Sequence, residues 1–484
     1  MSRDVSSRPI SRPAAASASA LSGPAAASSD ALFLGLDFGT SGARACAVDA
    51  LGAIVAERSA RYPPVVDGGK GGDGVPEGGW AEAWRGALWS LLDGLDAEVL
   101  DRVAAVAVDG TSGTTLMVDA ASLEPLAPAQ MYNEKRPESV DAVESIAPEG
   151  HCVRSASSAL CKLHAWWHVD AARAPDPDAL RASAKLLHHA DWVAALMHGR
   201  VGVSDHNNAL KLGFDPAGEE GGFYPEWLTA QPYAAALPLE VYAPGTAIPN
   251  GEVRTPEASR YLGRTRPCAV VAGTTDSVAA FVAATCVEPG DAVTSLGSSL
   301  ALKLVSKTRV DDAVAGVYSH RLCGDWLVGG ASNLGGWLLR THFTDDELSR
   351  LTEALDARSD ALSDGSAVPE YFANVLMGFG LSVEEATAAM TPRPASDADF
   401  LRAILDGVAG VEARSYAALV AMGASHAPTR VFTAGGGAKN AKWAALRSRK
   451  MGGVEVRASE QAEAAFGAAL LARMGGLGAE TYVP

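Results

Sequence analysis

The chain writes one local plan twice, and this repetition constrains the fold more than any other feature. Residues 31–36, Ala-Leu-Phe-Leu-Gly-Leu, read as a short apolar strand. Asp37-Phe-Gly-Thr-Ser-Gly42 follows as a turn, Ala43 to Val48 as a returning strand, and Ile54 to Ala56 as a third. Far downstream, Ala292 to Leu296 and Leu300 to Val305 flank Gly297-Ser298-Ser299 in the same way. Each hairpin opens a run in which strands and helices alternate. The spacing predicts helices over Ala81–Leu95, Lys185–His198, Asp397–Met422, Lys439–Lys450 and Glu463–Met474. Apolar strands are expected at Val103–Val108, Val270–Ala272, Val431–Thr433 and Val454–Arg457. Two α/β halves meeting near residue 285 account for this order, 31–285 and 286–477.

A length of 484 residues exceeds what one ordinary core organises, which agrees with two domains. The net charge of -17 disfavours nucleic acid and anionic membrane as partners. It would also repel a nucleotide at long range, so any such site must draw on local backbone N–H groups, helix N-termini and a metal ion. No apolar run approaches the roughly 20 residues that cross a bilayer. Cys46, Cys152, Cys161, Cys268, Cys286 and Cys323 are scattered and form no C-x-x-C pair, which argues for a reducing compartment. Residues 1–30 are mostly Ser, Ala, Pro and Arg; they read either as a plastid transit peptide, giving a chloroplast location, or as a plain unstructured tail of a cytoplasmic protein.

A hairpin tip of Gly, Thr and Ser suits phosphate, because glycine admits close approach and successive N–H groups form an anion nest. Asp37 precedes the first tip, where a carboxylate can hold a phosphate-bound Mg2+ ion. The same residues equally make a turn in which Asp bonds its neighbours' N–H groups. No G-x-x-x-x-G-K-[ST] occurs; Lys70, within Gly68–Gly74, lacks that spacing. Gly435-Gly-Gly-Ala-Lys-Asn440 lies between a strand and a helix, where glycines would let an adenosine lie on the backbone or would merely tighten the turn. Gly273-Thr-Thr-Asp276-Ser277 places a carboxylate where a strand gives way to a helix. Asp276 there is a candidate proton acceptor for an alcohol, or an N-cap. His164 and His168 share a helix spacing without a third metal ligand, and His188 and His189 make a poor chelate. Trp166, Trp167, Trp192 and Trp227 read as core or pocket walls.

In this order, these segments resemble the FGGY carbohydrate kinases over most of the chain, Phe33 to about Met474. Leu34-Gly-Leu-Asp-Phe-Gly-Thr40 is similar to the family's first phosphate motif, Thr294-Ser-Leu-Gly-Ser-Ser299 to the second, and Ala434-Gly-Gly-Gly-Ala-Lys-Asn440 to the adenosine motif. Asp109-Gly-Thr-Ser-Gly-Thr114, residues 204–215 and Gly273–Ser277 resemble the D-ribulose kinase branch of plants and cyanobacteria, also called xylulose kinase-like. The resemblance implies two ribonuclease H/actin-like domains, a sugar-binding N-terminal one and a nucleotide-binding C-terminal one, with the active site in the cleft between them. It implies ATP and Mg2+, and a monomer or homodimer. It further implies Asp37 and Asp276 framing the sugar hydroxyl, with Asp276 the base, and Ser112 touching the sugar. Gly39, Thr40, Ser41, Gly297 and Ser298 would meet phosphate, and Trp337, Gly436, Gly437 and Asn440 the adenine nucleotide. The substrate implied is D-ribulose, with D-xylulose as the nearest alternative and a non-catalytic sugar or nucleotide sensor as a rival of another class. One departure is plain: residues 363–390 lack the family's G-E-R-x-P-like segment, and the likeness resumes at Thr391-Pro-Arg-Pro394.

Overall fold

A computed structural model describes residues 30–66, 74–217, 221–284, 288–297, 299–312, 314–322, 324–377, 381–461 and 463–478. The expected tail before Asp30, most of the Gly-rich stretch at 67–79, and Cys286, Ser298 and Cys323 lie outside the described residues. Two six-stranded sheets carry the fold. The first contains β1 (Leu32–Phe38), β2 (Gly42–Val48), β3 (Ile54–Arg61), β4 (Val103–Gly110), β5 (Ala247–Glu252) and β6 (Ala269–Thr275). Its spatial order is β5-β6-β4-β1-β2-β3. The second contains β7 (Asp291–Leu296), β8 (Leu300–Ser306), β9 (Tyr318–Leu322), β10 (Asp325–Ser332), β11 (Arg430–Ala434) and β12 (Glu455–Ala458), in the order β9-β10-β8-β7-β11-β12.

The sequence repeat is a topological repeat. Within each sheet the opening strand pairs antiparallel with its hairpin partner and parallel with a later strand on its other flank: β1 with β2 and β4, β7 with β8 and β11. A further parallel strand extends each sheet, β6 beside β4 and β12 beside β11. This is the ribonuclease H/actin-like arrangement twice over. Strands buried on both faces read as continuous apolar runs, which explains why β1 and β4 were legible: all seven residues of β1 are buried.

Six helices position the sheets: α1 (Trp80–Asp93), α2 (His189–His198), α3 (Asp276–Ala283), α4 (Asp397–Ala421), α5 (Ala441–Lys450) and α6 (Ala464–Gly476). In α1, Trp84, Leu88, Leu91 and Leu92 recur at helical spacing and are buried against the first sheet. The final helix, sequentially part of the second half, packs on the first sheet. It lies on β1 because Gly35 has no side chain: a Cβ there would sit 2.0 Å from the Ala465 carbonyl oxygen. It also crosses α3 closely, since a Cβ on Gly467 would sit 1.8 Å from the Ala279 carbonyl oxygen. Phe281, Phe466 and Leu470 share one core with Val293, Val305, Leu327 and Phe432 of the second sheet. Thus α3 and α6 are wedged between the lobes, and Asp276, the first residue of α3, is carried to their junction.

One helix expectation is corrected. Residues 184–188 form a strand paired antiparallel with Thr115–Asp119, and the helix begins only at His189. Leu186, Leu187 and His188 are all buried, and a short run buried on both faces has no period to separate strand from helix. The departing segment 363–390 contributes packing instead: Tyr371, Phe372 and Met377 are buried against α4 and β10 in the second core. The Arg414 guanidinium holds the Phe372 carbonyl at 2.6 Å. Among the described residues, no helix is long and apolar enough to cross a membrane.

Candidate active site

Asp37 is the penultimate residue of β1, just before the hairpin tip, and Asp276 opens α3 just after β6 ends. The intervening strand, β4, places Asp109 in register with Asp37 on one side and with Thr274 on the other. Three strand ends thus deliver three carboxyl groups to one place. A cleft of about 430 Å³ is lined by Asp37, Gly39, Thr40, Ser41 and Arg44 from the hairpin, and by Asp276 and Ser277. Glu463 and Ala464, at the start of α6, close it. The sequence placed Asp37, Asp276 and the Gly39–Ser41 tip in one site, and the structure brings them together.

The carboxyl groups are in different environments. Asp276 is partly exposed and accepts the Ser277 N–H at 2.6 Å. Burial pushes its carboxyl up to about 6, and the nearby Asp37 charge adds to the rise. Asp37 is nearly enclosed and ion-paired to Arg44 at 3.2 Å; burial raises it, against the pull of Asp109 and Arg44. Asp109 is fully buried, and its oxygens meet no donor among the described residues. Burial first, then the Asp37 charge, holds it well above the ordinary carboxylate range. Two carboxyl groups in such contact share a proton rather than ionise together. A proton kept by the deeper Asp109 would leave Asp37 the anion that faces the cleft. In the sequence Asp109 stood out only as the first residue of the 109–114 stretch; its signal was its place near the end of a buried strand, like Asp37.

The turn after β4 is braced from below. The Thr111 hydroxyl bonds Thr114 Oγ1 at 2.7 Å and His189 Nδ1 at 3.1 Å. The fully buried Lys162 donates to the Gly113 and Met131 carbonyls at 2.7 and 2.6 Å, and burial lowers its ammonium to about 8. Ser112 is left at the tip, partly exposed. The residues 204–215 join this wall: Asn207 Nδ2 donates to Thr274 Oγ1 at 3.0 Å, two residues before Asp276. The three stretches singled out for the sugar side thus abut one another.

A second cavity, of about 690 Å³, belongs to the C-terminal lobe. Gly297, Gly336, Gly436, Gly437, Lys439 and Asn440 line it, with Leu339, Leu348, Leu401 and Leu405 as an apolar wall. Gly435 adopts φ +82, and a Cβ there would sit 2.8 Å from the Leu296 carbonyl oxygen, so the glycine turn can lie flat against the β7 end. Asn440 caps α5 by accepting the Trp443 N–H at 2.9 Å, so it has a structural duty while facing the cavity. Trp337 does not line this cavity: its indole N–H bonds the Asn333 carbonyl and its ring packs on the second core. Its neighbours Gly336 and Leu339 line it instead. Beneath the glycine floor, Arg447 joins Glu412 at 2.6 and 2.7 Å and Thr433 at 2.7 Å, while Glu412 accepts from the Thr294 hydroxyl. This buried network ties α4 and α5 to β7 and β11, whose ends carry Gly297 and Gly435.

No group of three or more metal-ligating side chains occurs among the described residues. Asp37 is a single carboxylate beside exposed Thr40 and Ser41 hydroxyls. That donor set fits Mg2+ held mainly by phosphate and water, not a protein cage. The His164 and His168 rings lie 4.5 Å apart, tilted by 40°, and pack edge-on against Tyr233.

Two repeated lobes, a cleft with a hairpin tip and paired acids, and a glycine-floored apolar cavity make up the site. Residues 292–475 match the C-terminal domain of the FGGY family of carbohydrate kinases. The fold is shared with a xyloylose kinase from Brucella ovis, at TM-score 0.71 and 22% identity over 93% of this chain and 91% of that one. A xylulose kinase from Bifidobacterium adolescentis aligns at TM-score 0.69 and 21% identity, covering 93% and 94%. A glycerol kinase from Plasmodium falciparum, solved with ADP, aligns at TM-score 0.69 and 15% identity, covering 91% and 88%.

Proposed function

We propose that the chain is a carbohydrate kinase that transfers the terminal phosphoryl group of ATP to the end hydroxyl of a ketopentose, D-ribulose foremost. The observation that carries the reading is Asp276, partly exposed at the wall of a cleft whose other wall is Asp37 and the Gly39–Ser41 tip. As the sugar oxygen forms its bond to phosphorus, the bond from phosphorus to the ADP oxygen breaks, and the hydroxyl proton passes to the Asp276 carboxylate. A carboxyl poised near 6 is ionised at neutral pH and basic enough to accept that proton. The Gly39–Ser41 and Gly297 backbone would cradle phosphate, with Arg44 positioned to meet it, and adenosine would lie in the cavity over Gly436 and Gly437. Ser112, on the braced turn, would orient the sugar. Bound Mg2+, held through Asp37, would neutralise phosphate charge.

D-ribulose is favoured by the three abutting stretches around Ser112, Asn207 and Asp276. D-xylulose is the second reading, favoured by the xylulose kinases that share the fold. A panel of ketopentoses, polyols and aldonates with coupled ADP detection separates them: the highest kcat/KM is expected for D-ribulose, and a preference for D-xylulose, glycerol or gluconate overturns that choice. We also propose a plastid address for residues 1–30; diffuse cytoplasmic fluorescence of a fusion to that segment would reject it.

A further inference from the structure

Two lysines meet at the seam between the lobes with no carboxylate to pair with among the described residues. Lys211 comes from the N-terminal lobe, one helical turn after Asn207. Lys303 comes from β8 of the C-terminal lobe. Its partner residue on β10 is Gly329, and the residue beyond that on β9 is Tyr318. With no side chain on Gly329, Lys303 and Tyr318 become neighbours on the sheet face. Lys303 Nζ stands 4.8 Å from the Tyr318 ring centroid and Lys211 Nζ 4.2 Å. Lys303 Nζ also lies 3.2 Å from Nδ1 of His320, a fully buried ring that the two lysines and burial keep neutral.

The nearby acids are occupied elsewhere. Arg309 takes Asp215 at 2.7 Å and Asp311 at 2.5 Å. Two ammonium groups, a phenol and a neutral imidazole therefore face one another inside a chain of net charge -17. Lys211 and Lys303 are half-buried; attraction to one ring face and one imidazole offsets part of the cost of holding two ammonium ions together there, and the remainder is not offset by any carboxylate among the described residues. A dianion between the lysines would remove it, with the Tyr318 hydroxyl as an additional donor. The seam is held in register by Asn207, which donates to the Arg321 carbonyl and accepts the Arg321 N–H at 3.0 and 2.9 Å. The same Asn207 bonds Thr274 next to Asp276. The cluster is thus joined to the sugar wall, yet shares no residue with the cleft or the nucleotide cavity.

We propose that Lys211, Lys303 and Tyr318 form a receptor for a phosphate dianion, built by both lobes and separate from the nucleotide cavity. The dianion could be borne by a sugar phosphate or be free inorganic phosphate; both present the same group to two ammonium ions. Occupancy links the lobes across the seam, because each lobe supplies one cation.

The test is an ultraviolet titration of tyrosine on the full chain, without nucleotide, in the presence of inorganic phosphate or D-ribulose 5-phosphate. The two lysines, Lys211 the stronger, lower the Tyr318 phenol to about 8, so it should titrate ahead of the other tyrosines. Tyr318→Phe should remove that phase. Saturating phosphate should move the phase upward by about one pH unit, because the dianion cancels the lysine charges. Lys303→Met and Lys211→Met should each weaken phosphate binding at least tenfold by calorimetry while leaving ADP affinity within twofold. Lys303→Arg should retain most of the binding. Tighter binding of the sugar phosphate than of phosphate assigns the former as the ligand, and equal affinity assigns the free ion. A phase unmoved by either ligand, or phosphate affinity unchanged in both methionine variants, would overturn the proposal. It does not depend on catalysis: an enzyme inactive on every ketopentose would still have to show the phosphate-dependent tyrosine phase.

Discussion

Asp37 and Asp109 stand opposite each other in parallel register on β1 and β4, carboxyl against carboxyl, and only Asp37 reaches the cleft. Burial first, then the Asp37 charge, raises the deeper carboxyl, so Asp109 is the one expected to keep a proton. Asp109 thereby acts as a positioning residue, fixing the carboxylate that its neighbour offers to ligands.

Replacing Asp109 with Asn should preserve that hydrogen bond and remove a titration. The folded carboxyl is held above its unfolded value of about 3.9, so the native state keeps a proton that the unfolded chain releases. Wild-type stability from this group is fully present below about pH 4 and is lost as pH rises towards the folded pKa. The advantage of Asp109→Asn should therefore grow between about pH 4 and 7, by up to about 1.4 kcal/mol per pH unit. Melting curves across that range check it; a variant that loses ground on wild type as pH rises contradicts the shared proton.

Turnover should follow Asp276. A base must be unprotonated, and burial has raised this carboxyl to about 6. The kcat/KM profile should fall tenfold per pH unit below about 6 and be flat from 7 to 8 on the acid limb. An acid limb near 4 would mean that an unperturbed carboxylate, not this one, accepts the proton.

The glycine floor should be specific to nucleotide. Gly435→Ala places a methyl group 2.8 Å from the Leu296 carbonyl at a positive φ, displacing the turn. The KM for ATP should rise at least tenfold while the KM for sugar changes less than twofold. Equal effects on both would show that the turn serves lobe packing instead.

Beneath that floor, Glu412 and Arg447 are an ion pair almost wholly removed from solvent. Arg447→Met leaves a buried carboxylate unpaired and should cost about 3–5 kcal/mol in denaturant unfolding. Replacing both partners with apolar residues should recover most of the loss. A single replacement that costs under 1 kcal/mol would contradict the burial of this network.

Much of this arrangement was legible in the sequence because its carriers are local. The strand-turn-strand repeat, the Gly-Ser/Thr tips and the strand-to-helix Asp276 each declare themselves within a few residues. What stayed hidden is relational. Asp109 looks like any turn aspartate until β4 is known to lie between β1 and β6. Lys162 drew no notice in the sequence, because both its bonds run to distant carbonyls. The role of α6 was invisible too, because Gly35 and Gly467 matter only where a helix crosses them. Trp337 came only from the resemblance, and the structure places its indole on the Asn333 carbonyl, with Gly336 beside it at the cavity.

The most direct test follows the phosphoryl group itself. Wild type and Asp276→Asn would each be incubated with terminally labelled ATP and D-ribulose, with ADP affinity measured on the same preparations. Label in D-ribulose 5-phosphate from wild type is expected, with at least a thousandfold slower transfer by the variant at unchanged ADP affinity. Transfer by the variant within tenfold of wild type would contradict the assignment of Asp276 as the proton acceptor.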